Sequence, residues 1–101
     1  MRFLKFTEFE GWYEELNIKL KALVDARLYR IEEHSHFGDT RYLGDGVAEL
    51  RWKNGLRVYF AKGTNAQGQI VYLILGGTKH GQNKDIQKAK LLLRNHEDHK
   101  G

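Results

Sequence analysis

Two arginines that face each other across a predicted hairpin are the first residues in this sequence whose placement suggests chemistry. Apolar and polar residues alternate from residue 46 to residue 61, on both sides of the tripeptide Lys53-Asn54-Gly55, which is typical of two half-buried strands. A three-residue loop with Gly55 in the left-handed conformation keeps the two faces apart and pairs Arg51 with Arg57, whereas a two-residue loop mixes the faces. Directly opposed like charges destabilise a strand pair. An anionic ligand is one explanation for them, and a solvated sheet face is the alternative.

Four neighbouring residues extend this candidate anion site. Lys53 lies in the predicted loop, and Tyr59 shares the face of the two arginines, where an aromatic ring can stack on a nucleic-acid base. Lys79 follows the strand that we predict over residues 69–75. His80 comes next, and an imidazole can exchange protons near neutral pH. The alternative for His80 is an ordinary exposed loop histidine.

Charge is distributed unevenly along the chain. Residues 1–40 contain six Lys and Arg against eight Asp and Glu, a net charge of −2, whereas residues 41–101 contain eleven against five, a net charge of +6. An excess of positive charge in one half predicts a polyanionic partner, nucleic acid above all. The alternative is a solvated surface without a partner.

The composition excludes or disfavours several kinds of catalytic site. With no cysteine, the chain has no thiolate nucleophile, no disulfide and no thiolate zinc ligand. The carboxylates of the second half are scattered over different predicted elements, which argues against a two-metal nuclease. The pairs His34-x-His36 and His96-x-x-His99 lack obvious further ligands, and the glycine-rich phosphate-loop patterns are absent. We therefore expect neither a metal nor another cofactor.

Hydrophobic periodicity predicts a helical N-terminal half. We predict a strand over residues 2–6, followed by a helix that a capping box of Thr7 and Glu10 opens. Apolar residues at three- and four-residue steps then predict a second helix, which ends around residues 34–38. The two helices should form an amphipathic hairpin.

The second half is predicted to be a sheet closed by a helix. After the strand hairpin and a turn at residues 62–68, residues 69–75 are apolar on both faces, which indicates a central strand that ends at Gly76-Gly77. Asn83 is the predicted N-cap of a C-terminal helix, and residues 96–101 are expected to form a frayed tail.

The length and the hydropathy pattern predict a small cytoplasmic protein. A chain of 101 residues is short for two domains, so we predict a single domain over residues 1–101. No apolar run approaches the roughly 18–20 residues of a membrane span, and the N-terminus lacks the apolar core and cleavage site of a signal peptide. We therefore expect no association with a membrane.

Four short sequence blocks resemble a known family. The blocks are Gly44-Asp45-Gly46-Val47-Ala48-Glu49-Leu50-Arg51, Gly55-Leu56-Arg57-Val58-Tyr59-Phe60, Leu75-Gly76-Gly77-Thr78-Lys79 and Asp85-Ile86-x-x-Ala89. In this order and spacing they are similar to toxins of bacterial type II toxin–antitoxin modules, in the RelE/ParE superfamily and nearest to the HigB-like addiction module killer proteins. The resemblance covers about residues 3–95, and the helical half matches by pattern alone.

The resemblance implies an α+β fold with an N-terminal strand and helical hairpin, a curved antiparallel sheet and a C-terminal helix. It also implies a ribosome-dependent endoribonuclease, or mRNA interferase, that cleaves mRNA without a metal and so inhibits translation. Arg51, Arg57 and Lys79 match positions at which relatives carry the basic residues that hold and polarise the scissile phosphate. The implied partners are mRNA on the ribosome and a cognate antitoxin, a small helix-turn-helix protein encoded by the adjacent gene.

The resemblance leaves the proton-transfer groups open, because this chain departs from the family around Lys79. Relatives usually have Asp before this lysine and a small hydroxyl residue after it, where this chain has Thr78 and His80. Asp85 stands where some relatives have a catalytic Tyr. The candidate catalytic residues are Arg51, Arg57, Lys79 and His80, and the candidate RNA-binding residues are Lys53, Tyr59, Lys62 and Lys84.

Two other functions compete with mRNA cleavage. A ParE-like inhibitor would bind DNA gyrase without nuclease chemistry, and it would have no need of the three phosphate-activating residues Arg51, Arg57 and Lys79. A non-catalytic remnant that binds RNA or an antitoxin would explain the departures around Lys79.

Overall fold

A five-stranded sheet with helices on both faces forms the α+β fold in the computed structural model, which describes residues 1–99. Along the chain the elements are β1 (Arg2–Lys5), α1 (Thr7–Glu14), α2 (Ile18–His34), β2 (Thr40–Gly44), β3 (Val47–Arg51), β4 (Leu56–Asn65), β5 (Gly68–Thr78), a 3-10 turn (Lys79–Gly81) and α3 (Gln82–His99). The strand order in the sheet is β1-β5-β4-β3-β2. None of the helices within residues 1–99 combines the length and the apolar character that a membrane span requires.

The sheet is mixed rather than antiparallel, which corrects the prediction for β1. This strand pairs in parallel with β5, with Arg2 opposite Ile70 and Lys5 opposite Leu73. The other neighbouring strands are antiparallel. Periodicity indicates which side chains of a strand are buried but not the direction of its partner, so it could not reveal this pairing. The central position predicted for β5 is confirmed, because β1 and β4 flank it and most of its side chains are buried.

The β3–β4 hairpin has the register that the sequence predicts. Arg51 pairs with Arg57 and Leu50 pairs with Val58. Gly55 in the connecting loop has a φ of +98°. The three-residue loop therefore keeps the apolar face and the polar face of the hairpin apart.

β2 is an edge strand that the sequence analysis missed. It is antiparallel to β3, and the two are joined through Asp45 and Gly46, whose φ values are 54° and 82°. Thr40, Arg41 and Tyr42 are all exposed, so no alternation of apolar and polar residues marks the strand. The Asp-Gly pair is a typical hairpin turn, and it is the signal from which β2 could have been found.

The turn predicted over residues 62–68 is wrong in length. β4 continues to Asn65 and β5 starts at Gly68, so a two-residue turn joins them. The side chain of Asn65 accepts a hydrogen bond from the backbone N–H of Gln67 at 2.9 Å, which stabilises this tight turn. The ends of β4 and β5 next to this turn are largely exposed. Because their residues are mostly polar or small, this part of the two strands resembles a loop in sequence.

The prediction that Gly76-Gly77 ends the central strand is also wrong, since β5 continues through both residues. A Cβ at Gly76 would overlap the indole ring of Trp12 in α1, and a Cβ at Gly77 would overlap the carboxylate of Asp85 in α3. The two glycines therefore allow helices to approach the strand closely on both faces.

Two predicted helix starts differ from the structure. α1 has Phe6 at its N-cap without a side-chain hydrogen bond, so Thr7 and Glu10 do not form the predicted capping box. The backbone N–H of Glu10 donates to the carbonyl of Phe6 at 3.0 Å, because the chain passes from β1 into the helix within one residue. α3 follows the 3-10 turn and begins at Gln82, so Asn83 is not its N-cap.

The predicted contact between α1 and α2 is present, whereas the described part of the predicted frayed tail is helical. The hydroxyl of Tyr13 donates to Asp25 at 2.7 Å, and Lys21 forms an ion pair with Glu14 at 3.8 Å. α3 continues through residue 99, so residues 96–99 are helical. Residues 100 and 101, also predicted to be frayed, lie outside the described residues.

The alternation of side chains along the strands divides the buried residues between two cores. The core between the sheet and helices α1 and α2 includes Phe9, Val24, Ile31, Leu50 and Leu73. The core between the sheet and α3 includes Tyr59, Ile74, Ala89 and Leu93. Arg51 and Arg57 occupy the same side of their strands as Tyr59, so both arginines belong to the face that α3 covers.

A buried arginine in α2 joins three parts of the fold. Arg27 donates hydrogen bonds to the backbone carbonyls of Phe37, Asp39 and Arg51 at 2.8, 2.6 and 2.7 Å. Its guanidinium also lies 4.7 Å from the ring centroid of Trp52. These contacts tie α2 to the chain that leads into β2 and to the end of β3, which fixes the backbone of Arg51.

We expect Gly76→Ala to lower the free energy of unfolding by about 1–3 kcal/mol, because the added methyl group must displace Trp12 from a packed position. Gly11 in α1 is the matched control, since nothing lies within 4 Å of its Cβ position. Gly11→Ala should raise stability by about 0.5–1 kcal/mol. Denaturant unfolding measures both variants, and equal effects of the two substitutions would contradict the close approach of α1 to β5.

Candidate functional site

The candidate site lies on the sheet face under the start of α3, at the end of the sheet where β3 and β4 join. Five polar residues meet there, and we call them the α3 polar cluster: Glu49, Arg57, Tyr59, Gln82 and Asp85. The first three come from β3 and β4, and the last two come from the first turn of α3. Of the five, Arg57 and Tyr59 are among the site residues predicted from the sequence, and the other three are not.

Glu49 is a fully buried carboxylate at the centre of the α3 polar cluster. The side-chain amide of Gln82 donates to both of its oxygens at 2.8 Å. Its Oε2 lies 3.8 Å from Nε of Arg57, in an ion pair buried on both sides. An ionised carboxylate is retained in such a place only with partners of this kind.

Arg57 is nearly as buried as its partner, with 7% of its surface exposed. Its Nη1 donates to the backbone carbonyls of Trp52 and Leu56 at 3.1 and 2.9 Å. Nε faces Glu49, and Nη2 takes part in none of these contacts. An anionic ligand and solvent were the two surroundings considered for this charge from the sequence, and the structure instead places a carboxylate beside it. Glu49 lies diagonally across the predicted register, so the register itself could have revealed the pair.

Arg51 is half-buried, and its backbone is firmly held. Its N–H donates to the carbonyl of Asp39 at 3.0 Å, and its carbonyl accepts from Arg27. Within the described residues, Nε of Arg51 and Nε of Arg57 are both buried without a hydrogen-bond partner. The pairing of the two arginines that the sequence predicts is present, and in the described part of the chain Arg57 is the one with a carboxylate at ion-pair distance.

Tyr59 cannot stack on a base in this structure, because it is fully buried. Its ring belongs to the core under α3. The register places Tyr59 on the arginine face as predicted, but α3 covers that face. Burial raises the pKa of its hydroxyl well above the usual value, and the negative charges of Asp85 and Glu49 raise it further. Tyr59 is thus a neutral phenol in the core rather than a surface platform.

Lys79 lies beside the hairpin loop. Its backbone N–H donates to the carbonyl of Gly55 at 2.8 Å, and its Cγ lies 3.4 Å from the Cβ position of that glycine. Lys53 belongs to the same loop. The structure therefore brings Lys79 together with Lys53 and with the ends of β3 and β4.

Four exposed basic residues surround this end of the sheet, and we call them the basic rim: Lys53, Lys79, His80 and Lys84. His80 lies in the 3-10 turn next to Lys79, and Lys84 follows Gln82 in the first turn of α3. The rim is open to solvent, whereas Arg57 lies beneath it. The exposed rim thus contains predicted catalytic residues and predicted RNA-binding residues side by side, whereas Arg57 and Tyr59 are buried.

Lys62 is not part of the site. It lies 4.2 Å from the ring centroid of Phe37, which stacks on Phe60 of the core under α1 and α2. Since side chains alternate along β4, Lys62 points to the face opposite that of Arg57. The structure therefore does not bring Lys62 together with the other predicted RNA-binding residues.

The site offers cations and hydrogen-bond donors. Within the part of the chain that the structure describes, no group of three or more His, Asp or Glu side chains is placed to hold a metal ion. Exposed lysines at the rim and an oriented guanidinium beneath it can bind a phosphate. Glu49 reduces the field that Arg57 exerts at the surface, because the two charges are 3.8 Å apart.

We expect Arg57→Met to destabilise the fold by about 3–5 kcal/mol, because it leaves the carboxylate of Glu49 buried without its cation. The double variant Arg57→Met with Glu49→Leu should be more stable than Arg57→Met alone, since removing both charges removes the uncompensated one. Arg41→Met on the exposed edge strand is the control, and it should stay within about 0.5 kcal/mol of the parent. Thermal and denaturant unfolding measure all three, and a wild-type midpoint for Arg57→Met would show that the ion pair does not support the fold.

Asp85 should make the stability of the protein decrease as the pH rises from acid. Burial raises the pKa of Asp85, with Lys88 and Lys84 opposing the shift. The folded chain therefore binds the proton of this carboxyl group more tightly than the unfolded chain, in which the pKa of an Asp is about 3.9. Its contribution is present below that value and is lost as the pH rises through the folded pKa. We expect Asp85→Asn to be more stable than wild type at pH 7, with the difference vanishing below about pH 4; a constant difference across a pH series would refute this.

Comparison with known proteins places the chain beside a bacterial relative. An uncharacterized protein of Haemophilus influenzae is 41% identical to it over 87 residues, which is 83% of this chain and 84% of the relative. No family model matches the chain, and no solved structure matches it. An identity of this size over most of both chains shows common descent, and the chain therefore belongs to the same protein family as this Haemophilus influenzae protein.

Proposed function

We propose that this protein is the toxin of a type II toxin–antitoxin module, a RelE-like mRNA interferase nearest to the HigB-like addiction module killer proteins. The observation that carries the proposal is the meeting of three basic residues at one end of the sheet. Arg51 of β3 pairs with Arg57 of β4, and Arg57 pairs with Gly77 of β5. The backbone N–H of Lys79 donates a hydrogen bond to Gly55 in the loop between β3 and β4. The four sequence blocks that resemble this superfamily and the α+β fold support the same proposal.

The proposed reaction needs little chemistry from the protein, because RNA carries its own nucleophile. The 2′-oxygen attacks the adjacent phosphorus while the bond from phosphorus to the 5′-oxygen breaks. A base takes the proton of the 2′-hydroxyl, and an acid protonates the leaving 5′-oxygen. The products are a 2′,3′-cyclic phosphate and a 5′-hydroxyl. Holding the two oxygens in line with the phosphorus supplies a large part of the acceleration.

Additional negative charge develops on the phosphoryl oxygens in the transition state, and fixed cations stabilise it. One such contact in a partly desolvated site contributes about 3–4 kcal/mol to lowering the barrier. Lys79 is exposed and next to the loop, so in our proposal it makes the direct phosphate contact. Arg57 acts from beneath through Nη2, and Arg51 flanks it. His80 is the proposed proton-transfer group, and Lys53 and Lys84 bind the flanking RNA.

The proposed partners follow from the same function. The substrate is mRNA on the ribosome, and the excess of positive charge after residue 40 suits a polyanionic surface. A small helix-turn-helix antitoxin from the adjacent gene would neutralise the toxin. Such a toxin would act in the cytoplasm.

One observation favours a second candidate, a ParE-like inhibitor that binds DNA gyrase without cutting RNA. Arg57 is paired with Glu49 and only 7% exposed, and a buried, compensated cation suits a structural role as well as a catalytic one. The basic rim would then form part of a binding surface.

We expect expression of the chain in a bacterium to stop growth, with translation falling before DNA synthesis and mRNA fragments carrying 5′-hydroxyl ends. Lys79→Ala should reduce cleavage by about 10²-fold or more, because it removes an exposed transition-state contact. Lys19→Ala is the control, since it removes the same charge from an exposed position on α2, and it should cleave like wild type. Pulse labelling and mapping of mRNA ends measure these effects. If DNA synthesis fails before translation and the mRNA stays intact, the proposal of a nuclease is wrong and the gyrase inhibitor takes its place.

A further inference from the structure

We propose that Glu49 and Gln82 are positioning residues that fix the orientation of the Arg57 guanidinium and thereby make the start of α3 a part of the site. This inference deepens the proposed function and depends on it for its catalytic consequence. Glu49 is fully buried and so contacts no substrate directly, and the amide nitrogen of the half-buried Gln82 is bound to Glu49.

Two sets of contacts hold the guanidinium of Arg57 from different sides. Nη1 is bound by the carbonyls of Trp52 and Leu56 next to the hairpin loop, and Nε faces the carboxylate of Glu49. Within the described residues Nε makes no hydrogen bond, so Glu49 acts on it by charge at 3.8 Å while the two carbonyls hold Nη1. Together these contacts favour one orientation of the planar guanidinium. Nη2 is then the nitrogen whose direction is set for an incoming anion.

Gln82 determines where the carboxylate of Glu49 points. Its Nε2 donates to both oxygens at 2.8 Å, which fixes the rotation of the carboxylate and so the position of Oε2 beside Arg57. Gln82 is the first residue of α3. The orientation of Arg57 therefore depends on the docked position of this helix.

Stability alone does not explain this arrangement. α3 already packs on the sheet through Ala89 and Leu93 of its apolar face, and replacing a buried ion pair with apolar residues of similar volume is often neutral or stabilising. What an apolar pair cannot do is orient a guanidinium. The buried carboxylate is thus accounted for by the direction it gives to Arg57.

A reciprocal exchange of the two side chains separates positioning from structure. In Glu49→Gln with Gln82→Glu, the amide–carboxylate pair is preserved, but the negative charge moves from β3 to α3 and away from Arg57. We expect the melting temperature to recover relative to Glu49→Gln alone. We expect kcat on programmed ribosomes to remain at least about tenfold below wild type with KM unchanged. Recovery of both quantities would show that the pair only holds α3 on the sheet and would overturn the proposal.

A second variant keeps the test valid if the exchanged chain does not fold. Gln82→Met leaves the Glu49–Arg57 pair in place and removes only the two hydrogen bonds. It should lower kcat by about tenfold without raising KM. Gln87→Met, on the exposed side of α3, is the matched control and should cleave like wild type. Equal cleavage by the two variants would overturn the role of Gln82.

A spectroscopic measurement distinguishes failure of this inference from failure of the proposed function. The Nε–Hε NMR signal of Arg57 should be narrow and slowly exchanging in the wild-type protein, and it should broaden in Glu49→Gln and Gln82→Met but not in Gln87→Met. This readout needs no RNA. If the wild-type chain cleaves no mRNA while the signal behaves as expected, the positioning holds and the nuclease function fails. If the signal is unchanged in all variants, the positioning fails whatever the activity.

Discussion

Three backbone carbonyls, from Phe37, Asp39 and Arg51, converge on the guanidinium of Arg27, and the placement of the other elements depends on that convergence. One donor group satisfies acceptors from the segment that joins α2 to β2 and from the end of β3, which is 24 residues away from Arg27 in sequence. Burial lowers the pKa of Arg27, and the nearby Asp39 opposes the shift. Because arginine remains protonated in proteins, the contact persists at all pH values at which the protein is folded.

Arg27 and Arg57 are both charged groups inside the fold, and different partners stabilise each of them. Both are buried guanidinium groups at the ends of β3 and β4, on opposite faces of the sheet. Arg27 donates from each of its three nitrogens to a backbone carbonyl. Arg57 donates from Nη1 alone to two backbone carbonyls, and its Nε lies beside a carboxylate. The first arginine supports the scaffold, and the second retains a hydrogen-bonding direction that a ligand can use.

Local patterns predicted those parts of the fold and site that depend on local rules. The alternation around Gly55 was sufficient to place Arg51 opposite Arg57, because only one loop length kept the faces apart. The position of Lys79 near the two arginines could be predicted because Lys79 follows the strand β5. Three features depend on tertiary contacts and leave no periodic pattern in the sequence: the parallel pairing of β1, the exposed strand β2 and the burial of Tyr59 under α3. Gln82 was missed for the same reason, because the role of an amide at the start of a helix can be recognised only when its contact with a buried carboxylate is known.

The paired glycines of β5 also limit how this protein can change over evolutionary time. At Gly76 the indole of Trp12 lies directly on the strand, and at Gly77 the carboxylate of Asp85 does so from the other side. At this point the two helical layers are separated by little more than the thickness of one peptide backbone. A larger residue at Gly76 has to displace the indole ring of Trp12, whereas one at Gly77 meets the end of the Asp85 side chain, which can rotate away. Adjacent glycines of one strand are therefore under unequal constraint, and Gly76 is the position that relatives with the same helix placement are expected to keep small.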